Sequence, residues 1–313
     1  MNVLDYNDVM REKLERRKNI SDLEVDVHGH CIHIGPISYA CRGCFAGGQQ
    51  GGIQIGSKCM VNCPMCYYDP LRNDNGYEQH VAKLLGDFYE LLFSGKKPYA
   101  YSYQSSGETL IYTTELERFA KIFKEMEQKH NINIYHHLYT NGILATKPML
   151  QRLWDMEVDE LRFHISASNF SKKVIQNMYD AAKMGFIVSV EEPAWPHHKD
   201  NIIDLLPVFD DIGVKHLNIV EVQITQYNLD NIDKAYIGYD DIGIFKDYFW
   251  HLYDGGMVYD IMEEVLDKKY KYSVLDCNSG VERCRHAKMH HIFDSPYFYL
   301  NGFADYNGFN KKE

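Results

Sequence analysis

The chain has 313 residues, 45% of them hydrophobic, a formal net charge of −11 and eight cysteines. The length suits one large α/β domain or two small ones, the apolar share supports a sizeable core, and the acidic balance argues against a nucleic-acid phosphate track as the main partner. No stretch approaches the roughly 20 apolar residues that span a bilayer, and no basic region followed by an apolar one opens the chain. Neither a membrane partner nor export is therefore expected, and cysteines in a cytoplasmic chain read as metal ligands more readily than as disulfides.

Residues 1–51 hold a charged helix near 7–18, an alternating stretch over 23–34 and a Gly/Gln-rich connector. A strand is expected at 52–57. Val81, Leu84, Leu85, Phe88, Leu91 and Leu92 then recur at the spacing of one helix face. A strand at 99–103 precedes a helix opened by Thr114 and Glu117 at capping-box spacing, with Leu116, Phe119, Phe123 and Met126 inward. Strands at 132–139, 161–166, 186–191 and 216–222 alternate with helices at 147–156, 172–183 and 201–212. Pro148 starts the first of these helices, and Gly185 and Gly213 stop the other two. A helix near 259–268 and a strand at 271–275 follow.

Strands alternating with helices imply βαβ units and a parallel sheet. Six such strands between 52 and 222 can curl so that the loops at their C-terminal ends form a site. A doubly wound open sheet competes, but it would place a Gly-rich phosphate loop after the first strand. Cysteines stand there instead. The expected organisation is an N-terminal extension (1–51), a core (52–222) and a C-terminal extension (223–313).

Cys59, Cys63 and Cys66 are spaced C-x3-C-x2-C, and the next cysteine in the chain is Cys277. One loop can wrap three thiolates around an iron–sulfur cube and leave one iron open. A zinc site with a borrowed fourth ligand, or unligated buried cysteines, are the other readings. Gly107 and Glu108 form an acidic loop after the second strand, where a glycine permits close backbone approach and a carboxylate suits a cationic group. Asn141-Gly142 turns the chain after the third strand. On the fourth, Arg162, His164 and Ser166 share parity and would line the interior together.

With its aromatic neighbour Tyr67, the cysteine triplet resembles the signature of the radical S-adenosylmethionine (SAM) superfamily. The loop Ser106-Gly107-Glu108 resembles that family's Gly-Gly-Glu motif, with serine at the first glycine. The turn at Asn141 resembles its Thr-Asn-Gly element. Over roughly 52–222 the resemblance implies a partial (β/α)6 TIM-like barrel with short N- and C-terminal extensions. It implies a [4Fe–4S] cluster on Cys59, Cys63 and Cys66 whose open iron holds SAM, and an electron donor of the flavodoxin or ferredoxin type. Reductive cleavage of SAM would give a 5′-deoxyadenosyl radical that takes hydrogen from an organic substrate, leading to rearrangement, bond cleavage or cross-linking. Tyr67 would pack near the adenine, Ser106, Gly107 and Glu108 would meet the methionine amine, and Asn141 would lie near SAM. Ser166 and Ser168 would meet the ribose, with His164 a SAM or substrate contact.

Cys41, Cys44, Cys277 and Cys284 flank the core on either side and could gather into an auxiliary [4Fe–4S] cluster or a zinc site. Cys31 is the spare, and the histidine pairs at 136–137, 197–198 and 290–291 read as surface. Glu191, Glu192, Glu221 and Gln223 end the fifth and sixth strands as candidate substrate contacts. The auxiliary cysteines and an aromatic C-terminal segment favour a peptide or protein substrate, with a separate recognition partner. A small metabolite is the alternative within the enzyme class. Outside it stands an iron–sulfur or zinc protein of structural or electron-transfer role. No residue is marked as the hydrogen donor.

Overall fold

Apolar residues at helical spacing and short β-branched or aromatic runs alternate along this chain, and the backbone follows them. The computed structural model describes residues 6–25, 32–45, 50–68, 77–93, 100–233, 237–239, 250–252 and 254–277. In chain order the elements are α1 (Tyr6–Lys18), β1 (Leu23–Val25), β2 (Ile32–Ile34), α2 (Tyr39–Phe45), β3 (Gln50–Gln54) and α3 (Tyr77–Phe93). Next come β4 (Ala100–Gln104), α4 (Thr113–His130), β5 (Tyr135–Thr140), α5 (Lys147–Asp155), β6 (Glu160–Phe163) and α6 (Lys172–Met184). The remainder are β7 (Ile187–Pro193), α7 (Lys199–Ile212), β8 (His216–Val220), β9 (Gln223–Ile224), β10 (Ile237–Tyr239), β11 (Trp250–Leu252), α8 (Met257–Lys268) and β12 (Ser273–Asp276).

Two compact bodies divide the chain. One comprises 38–61 and 71–189 of the described stretches; the other comprises residues up to 37, 62–70 and 190 onwards. In the first body β3, β4, β5 and β6 pair in parallel in that order, so that Ile53, Tyr103, Leu138 and Leu161 lie in one row across the sheet. α4 covers this sheet with Leu116, Phe119, Phe123 and Met126, all buried, and Phe123 packs on Tyr101 with ring centroids 4.4 Å apart. Burying each such phenylalanine contributes roughly 1.5–3 kcal/mol. The expected capping box does not form. α4 continues from a 3-10 turn at Thr109–Tyr112, so Thr113 donates back to Leu110 O at 2.7 Å and Glu117 is left to pair with Arg152.

In the second body β12 pairs in parallel with β8, β2 antiparallel with β12, and β1 antiparallel with β2. The C-terminal stretch thus supplies a further parallel strand beside the six expected ones. A separate antiparallel sheet is ordered β10-β11-β9. The α/β expectation holds, with eight α-helices among the described residues, and the sheet stays open. No helix among the described residues is long and apolar enough to cross a membrane.

β6 is shorter than its sequence suggested. After Phe163 the chain leaves the sheet for a 3-10 turn at Ile165–Ser168, because the Ser168 hydroxyl donates to Ile165 O (2.8 Å) and accepts from Ser171 N (3.2 Å). A local serine bond of this kind competes with the ladder. Arg162, His164 and Ser166 therefore do not form one polar face. Arg162 is buried and spends its guanidinium on Glu160 (2.9 Å), Ser38, Tyr139 and the sulfur of Cys41. His136 and His137 are buried in β5, not at the surface.

Candidate functional site

The loops leaving β3 and β4 run side by side toward Cys59. Ile55 N donates to Gln104 O (3.0 Å), Ser106 N to Gly56 O (2.8 Å) and Glu108 N to Lys58 O (2.8 Å). The Tyr112 hydroxyl accepts from Lys58 N at 2.7 Å. Two glycines permit this closeness. A Cβ on Gly107 would overlap the Lys58 carbonyl oxygen, and one on Gly56 would overlap the Tyr112 ring. The Ser105 hydroxyl accepts from Gly107 N at 3.0 Å. Gly107 is thus required by loop-on-loop packing, one residue before an exposed Cys59 is reached.

Glu108 turns inward. Its Oε1 accepts from Leu110 N (3.0 Å) and Thr140 Oγ1 (2.6 Å), and its Oε2 accepts from Asn141 N (2.7 Å). The side chain is 1% exposed. Burial pushes its carboxyl above the usual range, although the three donors pull the other way. This carboxylate joins the end of β4 to the end of β5, with its acceptors spent inside the protein. What it presents is Asn141, whose Oδ1 accepts from Ile143 N at 3.0 Å while its Nδ2 is buried without a partner. A buried amide donor left unmet costs about 1–3 kcal/mol, so this one calls for an acceptor oxygen that the described residues do not supply. Gly142 beside it has φ +77°, and a Cβ there would come within 2.6 Å of Val174.

In the second body, Pro64 and Met65 form the turn that carries Cys63 and Cys66, closed by Cys66 N donating to Cys63 O at 3.1 Å. Met65 packs with Trp195, Val222, Ile224 and Ile232, and Cys63 lies against that cluster. Three side chains not singled out by sequence hold the backbone here. Asn231 Nδ2 donates to Pro64 O (3.1 Å), Asn228 Nδ2 to Met65 O (3.0 Å) and Thr225 Oγ1 to Tyr67 O (3.0 Å). Tyr67 packs on Tyr68 with the rings tilted at 34° and centroids 4.2 Å apart, and their hydroxyls are 3.0 Å apart.

His164 follows β6 half-buried, its N–H donating to Thr140 O at 2.8 Å, and Ser166 is buried in the turn beyond. Glu191 accepts from Asn218 Nδ2 at 2.7 Å; Glu192 is fully buried and Glu221 half-buried. Cys41 is buried, with Arg162 donating to its sulfur at 3.3 Å. Cys277 is half-buried at the end of β12, its N–H on Ile219 O. Cys284 and Cys31 lie outside the described residues, as do the side chains of Cys44 and Gln223.

Among the described residues no three His, Cys, Asp or Glu side chains gather closely enough to hold a metal ion. The donor chemistry nonetheless fits an iron–sulfur cluster. Cys59, Cys63 and Cys66 are in no disulfide, and soft sulfur ligands select such clusters or zinc. The unmet Asn141 amide in turn fits a polar ligand beside the acidic loop.

No protein-family model matches the sequence, and no curated protein does. Among solved structures, Streptococcus suis SuiB bound to the precursor peptide SuiA matches with a TM-score of 0.51 and 13% identity, over 83% of this chain and 55% of that one. SuiB alone matches with a TM-score of 0.51 and 12% identity, over 72% and 48%. Native anSMEcpe with bound AdoMet and the Cp18Cys peptide matches with a TM-score of 0.43 and 16% identity, over 57% and 52%. The chain spans about half the length of these structures. The likeness to SuiB is one of fold.

Proposed function

We propose that the protein is a radical SAM enzyme that takes hydrogen from a peptide or protein. The observation that carries this reading is the laced pair of loops: the backbone before Cys59 bonded to the Gly107–Glu108 loop, and Glu108 bonded to the Asn141 backbone. Such a frame supports a cluster ligand and a SAM-facing amide built on rigid strand ends. When bound, the cluster would supply the electron that cleaves SAM to methionine and a 5′-deoxyadenosyl radical.

The chain's own residues bind and orient. Cys59, Cys63 and Cys66 would hold the cluster, and Tyr67 would border the adenine. The backbone of Ser106 and Gly107 and the amide of Asn141 would meet the polar groups of SAM, while Glu108 acts through Asn141 as a positioning residue. His164, Ser166 and Ser168 would lie toward the ribose. Cys41, Cys44, Cys277 and Cys284 would form an auxiliary cluster or zinc site. The peptide substrate is supported by the fold likeness to SuiB, a protein seen with its precursor peptide. A cytoplasmic setting with a flavodoxin- or ferredoxin-type donor completes the reading.

Anaerobic reconstitution with iron and sulfide, followed by dithionite and SAM, tests it. The native chain should release 5′-deoxyadenosine and methionine, and Cys59→Ala should release neither. Intact SAM in the presence of a loaded, reducible cluster overturns the assignment. The substrate is tested by offering the native enzyme a short peptide encoded beside its own gene and reading the peptide's mass. An unaltered peptide alongside a consumed metabolite rejects the peptide reading.

A further inference from the structure

Cys63 and Cys66 stand on a turn whose outward carbonyls would, without partners, be free to rotate. Three carbonyls of that turn, those of Pro64, Met65 and Tyr67, each receive a side-chain hydrogen bond from one short segment, 225–231. The segment is itself fixed. Asn228 is fully buried, and its Oδ1 accepts from Thr225 N at 2.8 Å while its Nδ2 reaches Met65, so both ends of the amide are spoken for. The Thr225 hydroxyl likewise accepts from Tyr227 N (3.2 Å) while donating to Tyr67. Beneath the bonds lies the apolar floor of Met65, Trp195, Val222, Ile224 and Ile232.

We infer that Thr225, Asn228 and Asn231 form a clamp that positions the Cys63–Cys66 turn and thereby tunes the cluster it holds. The inference rests on the reading of Cys63 and Cys66 as cluster ligands. Each clamped carbonyl keeps its negative end on a donor, and the peptide planes between the two ligands keep one orientation. Dipoles and hydrogen bonds around the sulfurs are among the terms that set a cluster's reduction potential. A rotation of those planes therefore changes the potential as well as the stability of the loop. None of the three side chains is a cysteine neighbour in sequence; the clamp exists only because the chain returns after β8.

The test uses the full chain in two states. Without a cluster, hydrogen exchange over 62–68 and alkylation rates of Cys63 and Cys66 are compared among the native protein, Asn228→Ala, Asn228→Asp, Thr225→Val and Thr225→Ser. Asp keeps the acceptor for Thr225 N but loses the donor to Met65, so the segment keeps its turn and only the clamp opens. Exchange and alkylation should rise about tenfold in Asn228→Asp and Thr225→Val, the size of one hydrogen bond, and return toward native in Thr225→Ser. Exchange over α6 should not move. With the cluster loaded, the midpoint potential read by electron paramagnetic resonance should shift in the same variants and recover in Thr225→Ser.

Native exchange at 62–68 in both Asn228→Asp and Thr225→Val overturns the clamp. Raised exchange with an unchanged potential overturns its action on the cluster. Should Asn228→Ala not fold, Asn231→Ala, which removes only the exposed bond to Pro64, carries the same comparison. A native chain that takes up no cluster rejects the proposed function instead, and the exchange arm still decides the clamp.

Discussion

Glu108 receives donors from residues 110, 140 and 141, so a single side chain ties a 3-10 turn to the end of the neighbouring strand. Removing it leaves two buried backbone N–H groups without acceptors, each worth about 1–3 kcal/mol. Glu108→Ala should lose about 2–3 kcal/mol in urea unfolding, and Glu108→Gln, which keeps one acceptor, should fall between it and the native chain. A native-like unfolding midpoint in Glu108→Ala would show that the carboxylate is dispensable to the loop. Gly107→Ala should be destabilised by about 1–3 kcal/mol, because its Cβ meets backbone at Lys58 rather than a side chain that can yield. Both residues were visible in the sequence as an acidic loop at a strand end. Their partners were not: whether a carboxylate faces a ligand or its own fold depends on donors that the spacing does not name.

Helices were legible from apolar periodicity, while their docking depended on charges far apart in the chain. Lys13, Arg16 and Arg17 share one face of α1 at i, i+3 and i+4. Arg16 bonds to Asp260 of α8, which also receives Lys199 from α7, and Arg17 bonds to Tyr259, whose hydroxyl donates to the buried Asp276 at 2.9 Å. Burial alone would raise the Asp260 carboxyl, but Lys199 and Arg16 outweigh it and hold it below its ordinary value. A carboxylate with a depressed folded value stabilises above its unfolded pKa, near pH 4, and that contribution fades as pH falls further. Arg16→Ala should cost about 1 kcal/mol at pH 7, and the difference from native should shrink by pH 3 in parallel urea titrations. A gap that stays constant with pH would assign the loss to packing of the arginine stem. Two elements were misread from sequence. The capping box at Thr114 fails because α4 begins at Thr113, one residue before it, after a 3-10 turn with Tyr112 at the N-cap. The long fourth strand fails because the Ser168 hydroxyl bonds Ile165 O.

At the scale of the molecule, a cluster that binds only the folded chain must raise its stability by mass action. Anaerobic reconstitution should therefore lift the melting temperature of the native protein by roughly 5 °C or more. It should leave Cys59→Ala and Cys63→Ala near the metal-free value. Equal melting of loaded and metal-free native chains would show that the thiols contribute nothing to folding through a metal. From β3 to β8 the order of strands and helices, the parallel sheet and the placement of Cys59, Glu108 and Asn141 near strand ends were determined by the sequence alone, whereas α2 and β9 to β11 were not. Periodicity, glycine stops and cysteine spacing are local signals, read within a turn or two of chain. Only the tertiary structure decided that Glu108 supports Asn141, that Arg162 is spent on Glu160, that β12 lies beside β8, and that Thr225, Asn228 and Asn231 reach carbonyls 158 to 167 residues away. A hydrogen bond depends on distance and direction in space, and residues so far apart in sequence acquire both only when the chain has folded.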